Sequence, residues 1–345
     1  MIHVLLCSVV FVTPILWDGS PSILDEVDTS SLTTHEIAEI REAINRCLKG
    51  DYEPAIPVLQ RHAEGGEVAS TFVLGKLYAD GEGVPRSPDR AARLLRANTA
   101  RTHTPSMIAL GELLEKTDPD EALQLYRQAA SLNDPIGLYK LGEVYERGRL
   151  GESPNEKMAF DYFEKLAALG DAEGEARVAQ YYDEGKGVTA DPVKATRIYR
   201  KAALRGHLPS MVTLSRRYFG GSGLDADPVA AVGWLTRASQ LGSTEAQVLL
   251  GLRYEIGDAT FKDLNEAGKL YSRAAAAGNP EGDYHLGRLY RDGLGTEADP
   301  VRAYVLFSMA QADARAQDAL MKLERKLSAS QLLAAKTKLE EQAGN

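Results

Sequence analysis

The chain has 345 residues and a formal net charge of −9, from 40 Lys and Arg against 49 Asp and Glu. This length suits two ordinary domains or one extended array of repeats. An acidic chain without a concentrated basic stretch argues against nucleic-acid binding, because phosphate neutralisation needs clustered Lys and Arg. Its two cysteines, Cys7 and Cys47, exclude a disulfide framework and cannot supply a zinc site by themselves.

The N-terminal 19 residues contain a mostly apolar run, from Val4 to Trp17, which is too short to cross a bilayer. Its length is typical of the hydrophobic region of a signal peptide, although no Lys or Arg precedes it. We therefore predict a truncated signal peptide over residues 1–19 and export to the periplasm or cell envelope, with the cytoplasm as the alternative. Cys7 is a weak candidate for a lipid anchor because Leu6 is large for the position before it.

Three positions recur through the rest of the chain at a spacing that is mostly 36 residues, as between Gly251 and Gly287. A small residue recurs at Gly75, Gly111, Gly142, Ala179, Ser215, Gly251 and Gly287. A second small residue recurs at Ala91, Ala122, Ala159, Ala195, Ala231, Ala267 and Ala303. A large apolar residue follows at Leu95, Tyr126, Phe163, Tyr199, Leu235, Tyr271 and Phe307. Self-similarity at a fixed period indicates a repeat protein.

Each repeat is predicted to form two antiparallel helices. The first small residue lies on one helical face with a Leu before it and a Tyr after it, so it would let the second helix approach closely. Glycine turns such as Gly185-Lys186-Gly187 would end the first helix, and Asp191-Pro192 would cap and begin the second. Gly-x-Gly also occurs in phosphate-binding loops, but these turns follow helices and recur along the array, which favours a structural role.

The pattern Leu-Gly-x-x-Tyr-x-x-Gly-x-Gly-Val, followed by Ala-x-x-x-Tyr-x-x-Ala-Ala, resembles the Sel-one-like repeat, a relative of the tetratricopeptide repeat. The resemblance implies an all-α fold, a right-handed α-solenoid of antiparallel helix pairs with terminal helical caps. We place seven repeats over residues 67–311. A linker would cover residues 20–34, a divergent repeat or cap residues 35–66, and capping helices residues 312–345.

The residues do not form a recognisable catalytic or metal-binding motif. The six histidines are scattered, with none in H-x-x-x-H or H-E-x-x-H spacing, and no Ser lies in a G-x-S-x-G elbow. We therefore predict a non-enzymatic protein that needs no cofactor and no metal.

A solenoid offers a concave groove lined by its first helices. If the tetratricopeptide register transfers, the groove is lined by the residues three before, one after and four after each small residue. Such a groove would be acidic in the middle and basic, with aromatics, at its C-terminal end, which would orient a bound peptide or protein loop. The alternative is an ordinary solvated face. The candidate partner-binding residues are Tyr139, Glu143, Glu146, Asp183, Arg216, Phe219, Tyr284, Arg288 and Arg291.

The C-terminal third is similar to the AlgK-type alginate-export lipoproteins, in the segments Tyr284–Gly293 and Pro300–Phe307 and in a tail rich in Leu and Gln. This resemblance implies a scaffold in exopolysaccharide biosynthesis or secretion, with other proteins as partners and peripheral membrane association left open. The alternatives are a generic repeat adaptor or regulator of a signalling pathway, such as a periplasmic sensor inhibitor, and an enzyme or carbohydrate binder.

Overall fold

The computed structural model describes residues 23–24, 27 and 32–343. The predicted signal peptide, including Cys7, and most of the predicted linker lie outside the described residues. The described part of the chain contains eighteen α-helices and no strand, which confirms the predicted all-α fold. Each helix within these residues is too short or too polar to span a lipid bilayer.

The chain divides into a first unit that ends at Leu169 and a second unit that begins at Gly170. The helices of the first unit are α1 (Thr34–Leu48), α2 (Tyr52–Glu64), α3 (Val68–Asp80), α4 (Pro88–Thr99), α5 (Thr104–Leu114), α6 (Pro119–Ser131), α7 (Pro135–Arg147) and α8 (Glu156–Ala168). Those of the second unit are α9 (Ala172–Glu184), α10 (Pro192–Leu204), α11 (Leu208–Gly220), α12 (Pro228–Gln240), α13 (Thr244–Ile256), α14 (Leu264–Ala276), α15 (Pro280–Asp292), α16 (Pro300–Met309), α17 (Ala314–Glu324) and α18 (Ala329–Ala343).

Within each unit, helices pack as pairs that stack on the next pair. The two helices of each repeat contact each other, as do α3 and α4, and the second helix contacts the first helix of the following repeat, as do α4 and α5. First helices also touch across repeats, α5 with α7 in the first unit and α13 with α15 in the second. Each unit is therefore a solenoid segment whose first helices form a common surface.

The helix ends follow the predicted capping pattern. Gly185 has a φ of +68° after α9, and Gly148 has a φ of +64° after α7, a conformation that favours glycine. The side chain of Asp191 accepts a hydrogen bond from the backbone N–H of Lys194 at the start of α10. These caps repeat in both units, so local sequence fixes where each helix begins and ends.

Glycine at the first small position allows the second helix to lie directly against the first. A Cβ placed on Gly251 would lie 2.6 Å from Cε1 of Tyr271, and a Cβ on Gly111 would lie 2.6 Å from Cε1 of Tyr126. Both distances are far below van der Waals contact. The predicted close approach is therefore confirmed, and the aromatic ring of the second helix occupies the space that the missing side chain leaves.

Candidate functional site

The predicted groove positions of α9 line a recess in the second unit. A pocket of about 400 Å³ lies between α9 and α11. Its walls include Ala176, Gln180 and Asp183, which are the three predicted groove positions of α9, and Pro209 and Thr213 of α11. The three positions of α9 that the tetratricopeptide register predicts for the groove therefore line one recess between first helices.

Carboxylates of the groove bridge successive repeats, an arrangement that we call the acid bridge. In the second unit, the hydroxyl of Tyr271 donates to Oε2 of Glu255 at 2.8 Å. From the next repeat, Nη2 of Arg288 donates to Oε1 of the same carboxylate at 2.9 Å. Glu255 thus ties the second helix of its own repeat to the first helix of the following one.

The first unit holds a second acid bridge, built on Glu115. The hydroxyl of Tyr126 donates to Oε1 of Glu115 at 3.0 Å, and Nη2 of Arg149 donates to Oε2 at 2.5 Å. The carboxylate again lies four residues after the small residue of its first helix, here Gly111. The same side-chain chemistry therefore joins neighbouring repeats in both units.

A third acid bridge contributes to the pocket between α9 and α11. The guanidinium of Arg217 donates to Asp183, which also hydrogen-bonds to Tyr199. Arg217 is only 8% exposed and donates further to Oγ1 of Thr196 at 2.7 Å. Because the pocket wall contains a buried ion pair, its shape at this point is fixed by contacts inside the protein.

The tyrosines of the acid bridges remain protonated hydrogen-bond donors. Burial, reinforced by the nearby carboxylate, raises the pKa of Tyr271 and of Tyr126 well above its usual range. Burial likewise raises the pKa of Tyr199 to about 12. A general acid or base works best with a pKa near the operating pH. These hydroxyls are therefore suited to holding repeats together rather than to proton transfer at neutral pH.

The three candidate residues of the first unit lie together on α7. Tyr139 is half-buried, with its ring centroid 6.0 Å from that of Phe163. Glu143 forms an ion pair with Arg147 at 3.1 Å, and Glu146 is half-buried. The structure thus places these three side chains at the partly exposed surface of one helix.

Arg216 and Phe219 of α11 face the next repeat. Nη2 of Arg216 lies 2.5 Å from Oε1 of Glu245, and both side chains are exposed. The guanidinium of Arg253 lies over the ring of Phe219, 4.2 Å from its centroid. The aromatic surface predicted at Phe219 is therefore partly covered by a neighbouring side chain.

The basic end of the groove is neutralised by neighbouring carboxylates. On α15, Arg288 contacts Glu255, and Nη2 of Arg291 lies 2.6 Å from Oδ2 of Asp292. The ring of Tyr284 lies beneath Arg315, whose guanidinium carbon is 4.5 Å from the centroid. The sequence predicted basic side chains here, and the structure pairs them across and along helices, so no uncompensated guanidinium from α15 faces the groove.

The groove positions three residues before the small residue are mostly part of the core. Phe72, Ile108, Val212 and Val248 are all buried. First helices of successive repeats touch, so a side chain at this position packs against its neighbour rather than facing a groove. Only the positions one and four after the small residue stay consistently accessible.

Two histidines have a role that the sequence analysis did not identify. His103 and His207 cap α5 and α11, and Nδ1 of each accepts a hydrogen bond from a backbone N–H, that of Ser106 or Ser210. Both lie in the sequence His-x-Pro-Ser, and this repeated spacing was the available signal. Nε2 of His207 also lies 3.0 Å from Oε2 of Glu173 in the wall of the pocket between α9 and α11.

His285 and Asp283 are buried on α15. His285 stacks on Tyr271 with a centroid separation of 5.0 Å, and burial, with the charge of Arg288, lowers its pKa. Burial raises the pKa of Asp283 to about 6. The described residues contain no group of three or more His, Cys, Asp or Glu side chains that could hold a metal ion.

Comparison with known proteins identifies the repeat. The family described as Sel1 repeat matches residues 68–97, 106–134, 135–171, 172–207, 209–243, 244–279 and 280–310. The structure is similar to that of a Sel1 repeat protein from Oxalobacter formigenes, with a TM-score of 0.66 and 25% identity, covering 82% of this chain and 90% of that one.

Two curated relatives match about half of this chain. An uncharacterized protein of Neisseria meningitidis is 32% identical over 158 residues, which are 46% of this chain and 34% of that protein. The chitin synthase regulator SKT5 of Saccharomyces cerevisiae is 28% identical over 178 residues, which are 48% of this chain and 26% of that protein. The chain thus spans about a third or less of the length of these relatives. Seven matching repeats show that the chain belongs to the Sel1 repeat family.

Proposed function

We propose that this protein is a non-enzymatic scaffold that binds a partner protein in the groove between its first helices. The observation that carries the proposal is the pocket of about 400 Å³ between α9 and α11. Recesses of this size accept several side chains of a bound segment. Sel1 repeat proteins are protein-interaction scaffolds, and family membership supports the same role here.

The charges of this pocket are paired. Each of its three carboxylates contacts a basic side chain, Glu173 with His207, Asp183 with Arg217 and Glu184 with Lys186. Complementary charge across an interface sets orientation and speeds association. A partner segment that carries both acidic and basic side chains beside small ones would match the paired charges of the pocket.

Purification of the tagged full-length protein under native conditions tests this proposal. Gln180→Arg combined with Thr213→Trp would fill the pocket and add a positive charge, so we expect loss of the co-purifying partner. Gln240→Arg makes a similar charge change at an exposed position of α12 and should retain it. Circular dichroism checks that both variants keep wild-type helicity. A partner that stays bound to the filled pocket would contradict the proposal.

The groove variants avoid Arg288 for a structural reason. Charge reversal there would place two carboxylates together, since Arg288 contacts Glu255 in the acid bridge. Such a variant would weaken the fold and lose partners indirectly. Gln180 and Thr213 lie in the pocket wall outside the acid bridges, so their substitution separates binding from folding.

We further propose that the scaffold acts in the cell envelope, in exopolysaccharide biosynthesis or secretion. Three observations support this: the apolar run from Val4 to Trp17, the similarity of the C-terminal third to AlgK-type lipoproteins, and a relative that regulates chitin synthase, another polysaccharide-forming enzyme. The partners would be components of the export or synthesis machinery, and nucleic acid would not be one.

Cell fractionation and polymer measurement test this assignment. We expect the protein in the periplasmic or envelope fraction, and reduced secreted polymer in a deletion strain, restored by the wild-type gene but not by the filled-pocket variant. A cytoplasmic protein with unchanged polymer in the deletion strain would contradict the assignment and favour a signalling adaptor.

A further inference from the structure

A second pocket lies in the first unit, away from the first-helix groove. It has a volume of about 540 Å³ and is formed by α2, α3 and α4. Two of these, α2 and α4, are the second helices of successive helix pairs. The pocket therefore opens on a different surface from the one that the groove residues occupy.

Three arginines of this pocket have no carboxylate partner in the described residues. Arg90 contacts the hydroxyl of Tyr78 at 3.4 Å and lies over its ring, and Arg101 donates to the backbone carbonyl of Gly66. Arg93 is exposed and forms no hydrogen bond or ion pair within the described chain. In contrast, Arg96 on the same helix α4 forms two hydrogen bonds with Glu121, at 2.9 and 2.8 Å.

The pocket is positively charged although the whole chain carries −9. Glu64 is its one carboxylate, and it lies beyond ion-pair distance of the three arginines. Arginine is the side chain best suited to bidentate recognition of a carboxylate. Uncompensated guanidinium groups that converge on one recess therefore favour an anionic ligand.

Apolar side chains form part of the pocket lining, beside the buried polar residues Thr71 and Asn98, whose side chains hydrogen-bond within the protein. Leu74 and Leu94 line the pocket together with Ala97, and Tyr78 is buried with Arg90 across its ring. The pocket thus offers no open aromatic face on which a sugar ring could stack. Leucine side chains beside uncompensated arginines match an amino-acid segment in which an acidic side chain adjoins an apolar one.

We propose that this pocket, which we call the arginine pocket, binds an acidic segment of a partner protein, with Asp or Glu on Arg90 and Arg93 and an adjacent apolar side chain on Leu74 and Leu94. The proposal rests on the proposed scaffold function and adds a second docking surface to it. The groove between α9 and α11 is lined by paired charges, whereas the arginine pocket carries uncompensated positive charge, so the two surfaces would select different partner segments.

Selection from a displayed library of random dodecapeptides on the immobilised full-length protein tests the proposal. We expect enrichment of sequences in which Asp or Glu adjoins Leu, Ile, Met or Phe. Synthetic copies of these peptides, measured by fluorescence anisotropy, should bind Arg90→Ala/Arg93→Ala at least tenfold more weakly than wild type. Arg96→Ala is the matched control on the same helix and should bind like wild type, because Arg96 does not line the pocket. Oligogalacturonate of similar length serves as the polysaccharide probe.

Each of the following outcomes would contradict the arginine pocket proposal. Enriched peptides that bind the Arg90→Ala/Arg93→Ala variant like wild type would place the site elsewhere. A failure to enrich acidic peptides would also contradict the proposal. Oligogalacturonate binding that depends on Arg93, without any peptide binding, would contradict it as well. Co-purification with the filled groove variant is independent of these results, so failure of the pocket and failure of the scaffold function can be told apart.

Discussion

The two units share the same frame of paired helices but differ in the side chains that are buried between these helices. In the first unit one apolar cluster extends from Ile23 to Leu166. In the second unit apolar clusters, such as the one that contains Leu214 and Leu235, alternate with buried charged side chains, including Arg217 and Asp283. The frame therefore does not depend on a uniformly apolar core.

Corresponding positions show where this difference arises. Four residues before the small residue, the first unit buries Thr71, Met107 and Leu138, of which only Thr71 is polar. At the same place in the repeat the second unit buries Met211 and three larger polar or charged residues, Glu175, Gln247 and Asp283. Both units have the helix caps and the glycines at which two helices approach closely, so these features determine the frame. The side chains between repeats determine how stability responds to pH and charge. Four experiments test this comparison between the two units.

The largest effect should come from the shared frame. Gly251→Leu places a side chain where Cβ alone lies 2.6 Å from Tyr271, so overpacking should cost about 3 kcal/mol or more in free energy of unfolding. Gly111→Leu should cost a similar amount in the first unit, since its Cβ meets Tyr126 at the same distance.

Gly233 on α12 has no atom within 4 Å of a built Cβ, so Gly233→Ala should instead stabilise by up to about 1 kcal/mol. Urea unfolding measures all three, and a neutral Gly251→Leu would refute the close approach.

Removal of the arginine from an acid bridge should cost more stability in the second unit than in the first, because the two arginines differ in burial. Arg217 is buried in the second unit, and its removal leaves Asp183 and Thr196 without their donor, so Arg217→Ala should cost about 3 kcal/mol. The side chain of Arg149 in the first unit is 38% exposed, so Arg149→Ala should cost no more than about 1 kcal/mol. Equal losses in urea unfolding would mean that burial does not distinguish the two bridges.

The pH response should be specific to the polar interior of the second unit. Burial raises the pKa of Asp283 from 3.8 to about 6, so the folded chain holds this proton more tightly than the unfolded chain. The free energy of unfolding therefore falls as pH rises from about 4 to 6. Asp283→Asn should remove this loss, so its free energy of unfolding should exceed that of wild type by about 3 kcal/mol at pH 7.5, with little difference at pH 3.5.

Urea unfolding at both pH values measures the Asp283 effect. Asp318→Asn is the control, because Asp318 is an exposed side chain of the same unit. A variant whose advantage over wild type is the same at both pH values would show that burial of the carboxyl group is not the cause. His285 acts with the opposite sign, since its lowered pKa makes the fold lose stability as pH falls below about 6.5.

A further effect, of moderate size, should be common to both units. Tyr271→Phe and Tyr126→Phe each remove one hydrogen bond to a carboxylate while keeping the ring that packs on glycine. Each should cost about 1 to 2 kcal/mol. Thermal and urea unfolding measure the change. A loss in one unit alone would show that the two bridges differ in more than the exposure of their arginine.

Local sequence was sufficient to predict the helix pairs, their caps and their close contact. Glycine turns, Asp-Pro starts and the pairing of Gly251 with Tyr271 depend on residues within one repeat, so periodicity reveals them. It also located Ala176, Gln180 and Asp183 at a common recess. These features recur, and recurrence is what a single sequence displays.

Contacts between repeats could not be predicted in the same way. Arg288 reads as a free basic residue, but its partner Glu255 lies on the preceding first helix, a whole repeat away in sequence. The burial of Phe72 and Val248 also depends on how far neighbouring first helices are apart. A signal was nevertheless present, since Tyr126, Tyr199 and Tyr271 each occur in a repeat with an acid four residues after its small residue.

The most direct test of the scaffold account is amide hydrogen exchange of the full-length protein with and without its purified partner. We predict that the partner slows exchange in α9 and α11, around Gln180 and Thr213, and that the filled-pocket variant shows no such protection. Protection confined to other helices or loops, with α9 and α11 unchanged, would contradict the account.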